Sequence, residues 1–450
     1  MPVANMVTQG GLDRETELDK LETCVAAALA RAREIGATQA EVSAHTSKGL
    51  SVNVRHGEVE TLEHMQDRSV SITVYAGKCK AHASSADLEP GSILACVDRA
   101  MDIARFTQAD PHNGLADENL MATEFPDLDA WHPTMLDANR AIARATECEA
   151  AGLQQSGISN SEGAGFEASL GMGVYGNSHG FVGRSAGTRY SQSCVFIAGQ
   201  GNGMQRDYSY DTSRDLADLE SPQKTGLEAA QKTMRRLGAR KLNTAQMPVL
   251  FAAEVARGLI GHLLSAVSGT ALYRNSSFLQ DAAGKQIFPD WMKISERPLL
   301  LRGLGSSAFD NEGVATREDD LVDRGKLLRY VLSSYSGRRL GLPTTANAGG
   351  VRNLLVQPSA GNLLQNLPRG FYVTEVMGQG VNTVTGDYSR GATGFYIENG
   401  EFSYPVEEVT IAGNLSEIFL GIEACGNNLD TRGNVHCGDI LVGKMTVAGS

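Results

Sequence analysis

Apolar and polar residues alternate along the N-terminal part of the chain, and this period-two pattern constrains the fold more than any other feature. The alternating runs are residues 40–45, 50–55, 58–64, 69–75 and 79–83. The separators between them are Lys48-Gly49, His56-Gly57, residues 66–68 and Gly77-Lys78. Successive side chains of a strand point to opposite faces, so short alternating runs joined by tight turns predict an antiparallel meander.

Helical patterns flank this meander. Apolar residues recur at every third or fourth position within residues 13–35, and a second helix is predicted at 92–106. The same order then repeats, with a helix at 135–155, several strands between residues 163 and 210, and a helix at 221–237. The sequence therefore predicts an α+β fold with an N-terminal α/β region of antiparallel sheets flanked by helices.

The C-terminal part of the chain carries two hairpin signals. Asn399-Gly400 stands between alternating residues, and these residue types adopt the positive φ angles of a type I′ turn. Arg324-Gly325 occupies the corresponding place in a second hairpin. These signals predict a β-rich C-terminal domain built on antiparallel sheet.

The length of 450 residues is too great for one ordinary core, so we expect more than one domain. Residues 1–110 are predicted to form an N-terminal α+β subdomain, and residues 134–240 a central α+β subdomain that packs with it. Residues 108–133 are polar and rich in turn residues, which indicates a linker. Residues 247–450 are predicted to form the C-terminal domain.

Composition and charge indicate which partners the chain can bind and in which compartment it is expected. The net charge of −12 argues against a nucleic-acid partner, because phosphate binding needs concentrated Lys and Arg. No run approaches the roughly 18 apolar residues of a membrane span. Residues 1–15 lack the pattern of a signal peptide, and the seven cysteines are scattered without a CxxC pair. These features indicate a reduced, cytoplasmic protein.

Several common catalytic motifs are absent from the sequence. It has no P-loop and no GxSxG elbow, and the glycines of residues 199–203 are flanked by strands, which favours a hairpin loop over a dinucleotide site. The carboxylates of Asp310 and Glu312 could form a metal loop, but a capped turn is favoured. His436 and Cys437 place an imidazole beside a thiol, a pair that is more often structural.

The helix predicted at residues 252–267 contains His262 among apolar residues. A zinc peptidase helix would carry a Glu after this histidine and a second histidine one turn later. This sequence has Leu263 in the first place and Val267 in the second. From the residues alone, a histidine in the core or at an interface is favoured over a metal ligand.

Several stretches together resemble the TldD/PmbA family of bacterial zinc-dependent proteases. They are residues 251–269, 273–291, 309–318, 336–350 and 373–415, with VHCGD at 435–439. The N-terminal segment that begins GLSVNVRHGEVETLEHMQ at residue 49 fits the family as well. The resemblance spans nearly the whole chain.

The resemblance implies a heterodimer of a TldD-type catalytic subunit and a PmbA-type, or TldE-type, partner. The catalytic subunit binds zinc through HExxxH and a C-terminal Cys. On this sequence the motif falls on HLLSAV, so His262 and Cys437 match ligands while Leu263 and Val267 replace the Glu and the second His. His436 could in principle replace a ligand, but neighbouring strand residues point apart. We therefore expect no zinc in the isolated chain, zinc in the TldD-type partner, and a catalytically incomplete subunit.

The family also implies substrates that are unfolded or leader peptides, held as extended strands against a sheet edge. The residues expected to bind the peptide backbone are Gly378, Gly380, Thr385, Gly386, Asp387 and Ser389. A homodimer of the isolated chain is possible. Two other functions stay open at this point: an autonomous metallopeptidase with non-standard ligands, and a binding protein that modulates DNA gyrase.

Overall fold

The computed structural model describes residues 13–134 and 137–449. Most of residues 1–15, which lack the pattern of a signal peptide, lie outside the described residues, as do the first two positions of the helix predicted at 135–155. The helices are α1 (Arg14–Glu34), α2 (Pro90–Ala104), α3 (Ala138–Leu153), α4 (Pro222–Arg235), α5 (Ala253–Ala266), α6 (Gly269–Tyr273), α7 (Ser334–Leu340) and α8 (Leu415–Leu420).

The N-terminal and central regions build one sheet together. Its strands are β1 (Gln39–Arg55), β2 (Glu58–Ala76), β3 (Cys79–Ser85), β4 (Ile158–Asn177), β5 (Val182–Ala198) and β6 (Gln205–Ser213). They lie in the order β3-β2-β1-β4-β5-β6, and every pairing is antiparallel. Helix, three strands and helix therefore follow one another twice, and β1 pairs with β4 where the two halves meet. We call this the first sheet.

The strands of the first sheet are longer than the sequence pattern indicates. Residues 40–45 and 50–55 belong to one strand, and the turn predicted at Lys48-Gly49 is wrong. The turn predicted at 66–68 is also wrong, because Lys48 pairs with Gln66 within a continuous ladder. A glycine suits this position in the strand, because a Cβ on Gly49 would meet the Met65 side chain at 3.0 Å. The predicted turn at His56-Gly57 is confirmed, with φ angles of 51° and 76°.

One face of the first sheet is apolar and carries the helices α1 to α4. Even-numbered residues of β1, such as Val42 and Val52, are fully buried against this helical layer. The opposite face presents odd-numbered polar residues, such as Glu41 and Ser43. The alternation that predicted the strands thus separates a buried core from a polar face.

The C-terminal region contains the other strands. They are β7 (Ala245–Phe251), β8 (Ile294–Glu296), β9 (Asp319–Asp323), β10 (Lys326–Leu327), β11 (Leu354–Val356), β12 (Arg369–Met377), β13 (Asp387–Glu398), β14 (Glu401–Asn414), β15 (Ile422–Cys425), β16 (Val435–His436) and β17 (Ile440–Ala448).

These strands form two sheets. The larger has the order β14-β13-β12-β7-β17-β15, and a further pairing of β14 with β17 closes five of its strands into a ring. The smaller has the order β10-β9-β8-β11-β16. Both predicted hairpins are confirmed, since Asn399-Gly400 and Arg324-Gly325 have positive φ angles between paired strands. Most pairings are antiparallel, although β7 runs parallel to β12.

The predicted α+β fold is confirmed. The domain boundaries at 110, 134, 240 and 247 stay predictions. The largest core surrounds α5, which packs among strands of the closed ring and of the smaller sheet. In the described residues, no helix is long and apolar enough to cross a membrane.

Candidate functional site

Helix α5, which carries His262, directly follows strand β7 of the closed ring. The chain leaves β7 at Phe251 and enters the helix at Ala253, whose N–H donates to the Asp439 carboxylate at 2.8 Å. A carboxylate at this end satisfies a backbone donor that has no partner within the helix and interacts favourably with the helix dipole. Asp439 lies two residues after Cys437, so this contact fixes the cysteine-bearing segment against the start of α5.

His262 is half-buried on α5, beside the closed ring. Its ring contacts Tyr388 of β13 edge to face, with ring centroids 5.8 Å apart. Burial, with a smaller effect of the Arg390 charge, lowers the pKa of His262 below its ordinary value. Burial also raises the pKa of Tyr388 to about 12. At neutral pH these two side chains are therefore an uncharged imidazole and an uncharged phenol.

Leu263 and Val267 are fully buried, each with 0% of its surface exposed. Both belong to the large core that includes Phe251, Leu259 and Ile260. Their side chains contain only carbon and hydrogen, so neither can bind a metal or accept a proton. The two positions at which the resemblance would place a general base and a second histidine are structural positions in this chain.

Cys437 is also fully buried. Its thiol donates to the Gly438 carbonyl at 3.2 Å. The neighbouring Cys425 thiol and burial raise the pKa of Cys437 well above its ordinary value, which keeps it a thiol and not a thiolate. His436 lies on the adjacent position with 9% of its surface exposed, and its Nε2 is 3.1 Å from the Gly433 carbonyl.

These residues do not fit a catalytic zinc ion. Such a site needs three protein ligands and an open position for water. In the part of the chain that the structure describes, no group of three or more His, Cys, Asp or Glu side chains could hold a metal ion. The assignment of His262 and Cys437 as remnants of a metal site stays a prediction.

The residues expected to bind peptide backbone lie in and after the connection between β12 and β13. Five of them are exposed, whereas Gly386 is buried, and a Cβ at that position would meet the Asn414 side chain at 3.0 Å. The Ser389 N–H donates to the Gly380 carbonyl, and the Asn382 N–H to the Asp387 carbonyl, at 2.6 and 2.9 Å. Part of this backbone is therefore occupied within the segment itself.

The structure brings this segment and α5 together. The buried Tyr388 lies between Asp387 and Ser389 and contacts His262, so two regions more than a hundred residues apart pack against each other. Met377 and Val384, in the same segment as Tyr388, are exposed apolar side chains. We call residues 377–389 the ring hairpin. The role of its residues in binding peptides stays a prediction.

Several charged residues around the start of α5 form contacts, although they belong to no recognisable sequence motif. Arg432 donates to Asp430 at 2.9 Å and lies 4.3 Å over the Tyr210 ring, and Arg257 donates to the hydroxyl of Tyr210 at 2.7 Å. Lys232 of α4 donates to Glu254 at 2.6 Å. These contacts join the first sheet and its helices to α5 and to the Cys437 segment.

Asp310 caps a turn, as the sequence indicates. Its carboxylate accepts from the N–H groups of Glu312 at 2.9 Å, Val314 at 3.0 Å and Ala348 at 2.9 Å. Burial outweighs these hydrogen bonds and raises its pKa to about 6. With all these donors from the backbone, the carboxylate holds a loop together rather than a metal.

Comparison with known proteins agrees with this architecture. Residues 40–104, 131–237 and 244–449 match the sequence models of PmbA/TldA metallopeptidase domain 1, central domain and C-terminal domain. A metalloprotease PmbA of Escherichia coli O157:H7 is 46% identical over 414 residues, which cover 91% of this chain and 92% of the relative. This chain belongs to the PmbA family.

Other PmbA relatives match over similar lengths. A metalloprotease PmbA homolog of Haemophilus influenzae is 44% identical, with 96% of each chain covered. A crystal structure from Bacteroides thetaiotaomicron, described as that of a candidate modulator of DNA gyrase, has a TM-score of 0.91 and 25% identity, and covers 96% of this chain and 99% of that one.

TldE of Thermococcus kodakarensis has the same fold. Its TM-score is 0.82 at 18% identity, with 96% of this chain and all of that chain covered.

Proposed function

We propose that this chain is the PmbA/TldE-type subunit of a heteromeric zinc metalloprotease, and that a TldD-type partner supplies the zinc and the catalytic base. The substrates would be unfolded or leader peptides, and the complex would act in the cytoplasm. The observation that carries the proposal is the complete burial of Leu263 and Val267 in an apolar core. The chain's relatives are named metalloproteases. A catalytic partner subunit would explain how a member of such a family can have apolar core residues at these two positions.

The physical argument starts from what peptide hydrolysis needs. A zinc-bound water needs a metal held by three ligands and a base that takes its proton. Leu263 cannot be that base, and Val267 cannot be a ligand. Cys437 is buried as a thiol next to Cys425, and desolvation disfavours its ionisation. The zinc ligands and the base for peptide hydrolysis would therefore have to come from a second subunit.

The ring hairpin is the part of this chain that we assign to the peptide or to the partner. Most of its residues are exposed, among them Met377 and Val384 with 47% and 53% exposure, and its buried Tyr388 contacts His262. Exposed apolar side chains at the end of a hairpin are typical of surfaces that receive a partner or a peptide. His262 would pack at this contact and would not take part in proton transfer.

The test is reconstitution. This chain and a TldD-type subunit are purified separately, and hydrolysis of an unstructured peptide is measured for each alone and for the mixture. We expect the mixture to exceed the sum of the two, and His262→Ala in this chain to change the rate of the mixture by less than about threefold. Hydrolysis by this chain alone, abolished by His262→Ala, would instead establish an autonomous metallopeptidase.

A second function is favoured by one observation only. The solved structure with the TM-score of 0.91 is described as a candidate modulator of DNA gyrase. If this chain had that role, it would capture purified gyrase without a TldD-type subunit present. The net charge of −12 makes direct contact with the DNA unfavourable, so such binding would have to be to the protein.

A further inference from the structure

A long cleft runs between the polar face of the first sheet and the loop at residues 306–311. It consists of two cavities of about 450 and 570 Å³. They are continuous, because the same residues line both: His45, Gly173, Ser185, Ser307 and Phe309. Glycine and serine form much of the floor, which leaves the space above the strands open. The volume is in the range of sites that bind small molecules and short chains.

One end of the cleft is acidic. The Glu41 carboxylate accepts hydrogen bonds from the hydroxyls of Tyr75 at 3.1 Å and Tyr175 at 3.0 Å. Burial, together with the Glu41 charge, raises the pKa of both tyrosines, so they stay neutral donors. Within the described residues, no Lys or Arg forms an ion pair with Glu41. The two phenols orient the carboxylate and leave its charge uncompensated.

The other end contains Arg214, in a lining that also includes Arg14, Glu15, Asp127 and Arg184. The Arg214 guanidinium donates to the carbonyls of Thr188, Gly303 and Leu304 at 3.3, 3.4 and 2.8 Å. Its Nε is buried without a hydrogen-bond partner. Across residues 13–134 and 137–449 it forms no ion pair with a carboxylate. A partly buried cation without a counter-ion is costly, and an anionic ligand would remove that cost.

Sheet geometry gives the distance between the two ends. A Cβ built on Gly187 would meet the Arg214 guanidinium at 2.7 Å, so the arginine lies over Gly187. Through Gly171, Gly187 is in register with Ser47, six residues along β1 from Glu41. Six residues of strand span about 20 Å, and the two strand spacings add about 10 Å sideways. An extended peptide of about six residues covers this diagonal.

We propose that this cleft binds a short peptide in an extended conformation, with its N-terminal ammonium at Glu41 and its C-terminal carboxylate at Arg214. The choice of a peptide among zwitterionic ligands rests on the proposed function. The site lies on the first sheet and is separate from the ring hairpin. A subunit of a peptidase would thereby hold a peptide fragment with two free ends, such as a product of cleavage.

The test is calorimetric titration of the isolated full-length chain with a six-residue alanine–serine peptide. The same peptide is then used with its N-terminus acetylated or its C-terminus amidated. We expect each block to weaken binding at least tenfold. Glu41→Gln, which keeps the shape of the side chain, should remove the effect of acetylation only, and Arg214→Gln the effect of amidation only.

Steric variants make the test independent of charge. Gly173→Phe fills the middle of the cleft, where a Cβ has its nearest neighbour, the Ser185 hydroxyl, at 3.2 Å, and should abolish binding. Gly361→Phe is the matched control, because nothing lies within 4 Å of its Cβ, and should bind as the unmodified chain does. Circular dichroism verifies that each variant is folded.

Binding that is indifferent to both end blocks, binding that survives Gly173→Phe, or no binding at millimolar peptide would overturn the proposal. None of these results depends on a TldD-type subunit. Failure here would therefore leave reconstituted hydrolysis intact, whereas failed reconstitution with successful titration would refute the proposed function alone.

Discussion

Leu263→Glu is the substitution that probes the α5 core most sharply, because it restores a motif residue at a position that packs as core. Leu263 is 0% exposed. Removing a buried leucine side chain costs about 2–5 kcal/mol, and burying a carboxyl group without a partner adds further desolvation cost. We expect the free energy of unfolding to fall by at least about 4 kcal/mol, which is a large share of the roughly 5–15 kcal/mol typical of a domain.

The assay is urea unfolding followed by circular dichroism, with the midpoint and slope fitted for each variant. Ser265→Glu is the matched control, since it adds the same charge two residues away on the exposed side of the same helix. We expect this control to change the free energy of unfolding by no more than about 0.5 kcal/mol. Zinc should not rescue Leu263→Glu, alone or combined with Val267→His.

An unfolding free energy for Leu263→Glu equal to that of Ser265→Glu would mean that position 263 tolerates a charge and is not a structural core position. A Leu263→Glu, Val267→His variant that is stabilised by zinc at the expected stoichiometry would mean the same, because the two side chains would then face a cavity with room for a metal.

Three further predictions concern neighbouring contacts. Asp439→Ala removes the acceptor at the start of α5 and should lower the free energy of unfolding by about 1–3 kcal/mol in the same urea assay; an unchanged value would contradict the capping role. Gly394→Ala should be destabilising by at least about 2 kcal/mol, because its Cβ would meet the Tyr372 carbonyl oxygen at 1.8 Å; Gly91→Ala, with nothing within 4 Å, is its control. Burial lowers the pKa of His262 from its ordinary 6.5, so the unfolded chain binds more protons there, and the contribution of His262 to stability is lost as the pH falls below about 6.5. Thermal melts at pH 5.5 and 7.5 should therefore differ more for the native chain than for His262→Gln, and equal differences would contradict this sign.

Local patterns predicted much of the fold. Helix α5, the type I′ turn at Asn399-Gly400 and the turn at His56-Gly57 follow from residue types within a few positions of one another. The two turns wrongly predicted at Lys48-Gly49 and at residues 66–68 show where local information fails. A glycine or a polar run within a strand resembles a turn, and only pairing with distant strands reveals the difference.

The site is harder to predict than the fold for the same reason. The contact between His262 and Tyr388 depends on how α5 packs against the closed ring, and the pairing of Glu41 with Tyr175 depends on β1 lying beside β4. Residues that meet in this way are more than a hundred positions apart. Resemblance to the family predicts that Leu263 and Val267 replace residues of the zinc motif, but only the structure shows that both side chains are completely buried.

The zinc content of the purified chain decides whether this subunit holds a metal of its own. The full-length chain is expressed without a TldD-type subunit, freed of loosely bound metal by brief exposure to a weak chelator, and analysed for zinc per polypeptide. We predict much less than 0.1 zinc per chain, on the order of background, because Leu263 and Val267 offer no ligand. One zinc per chain, retained through the chelator step and lost in His262→Ala, would instead establish a metal site in this chain.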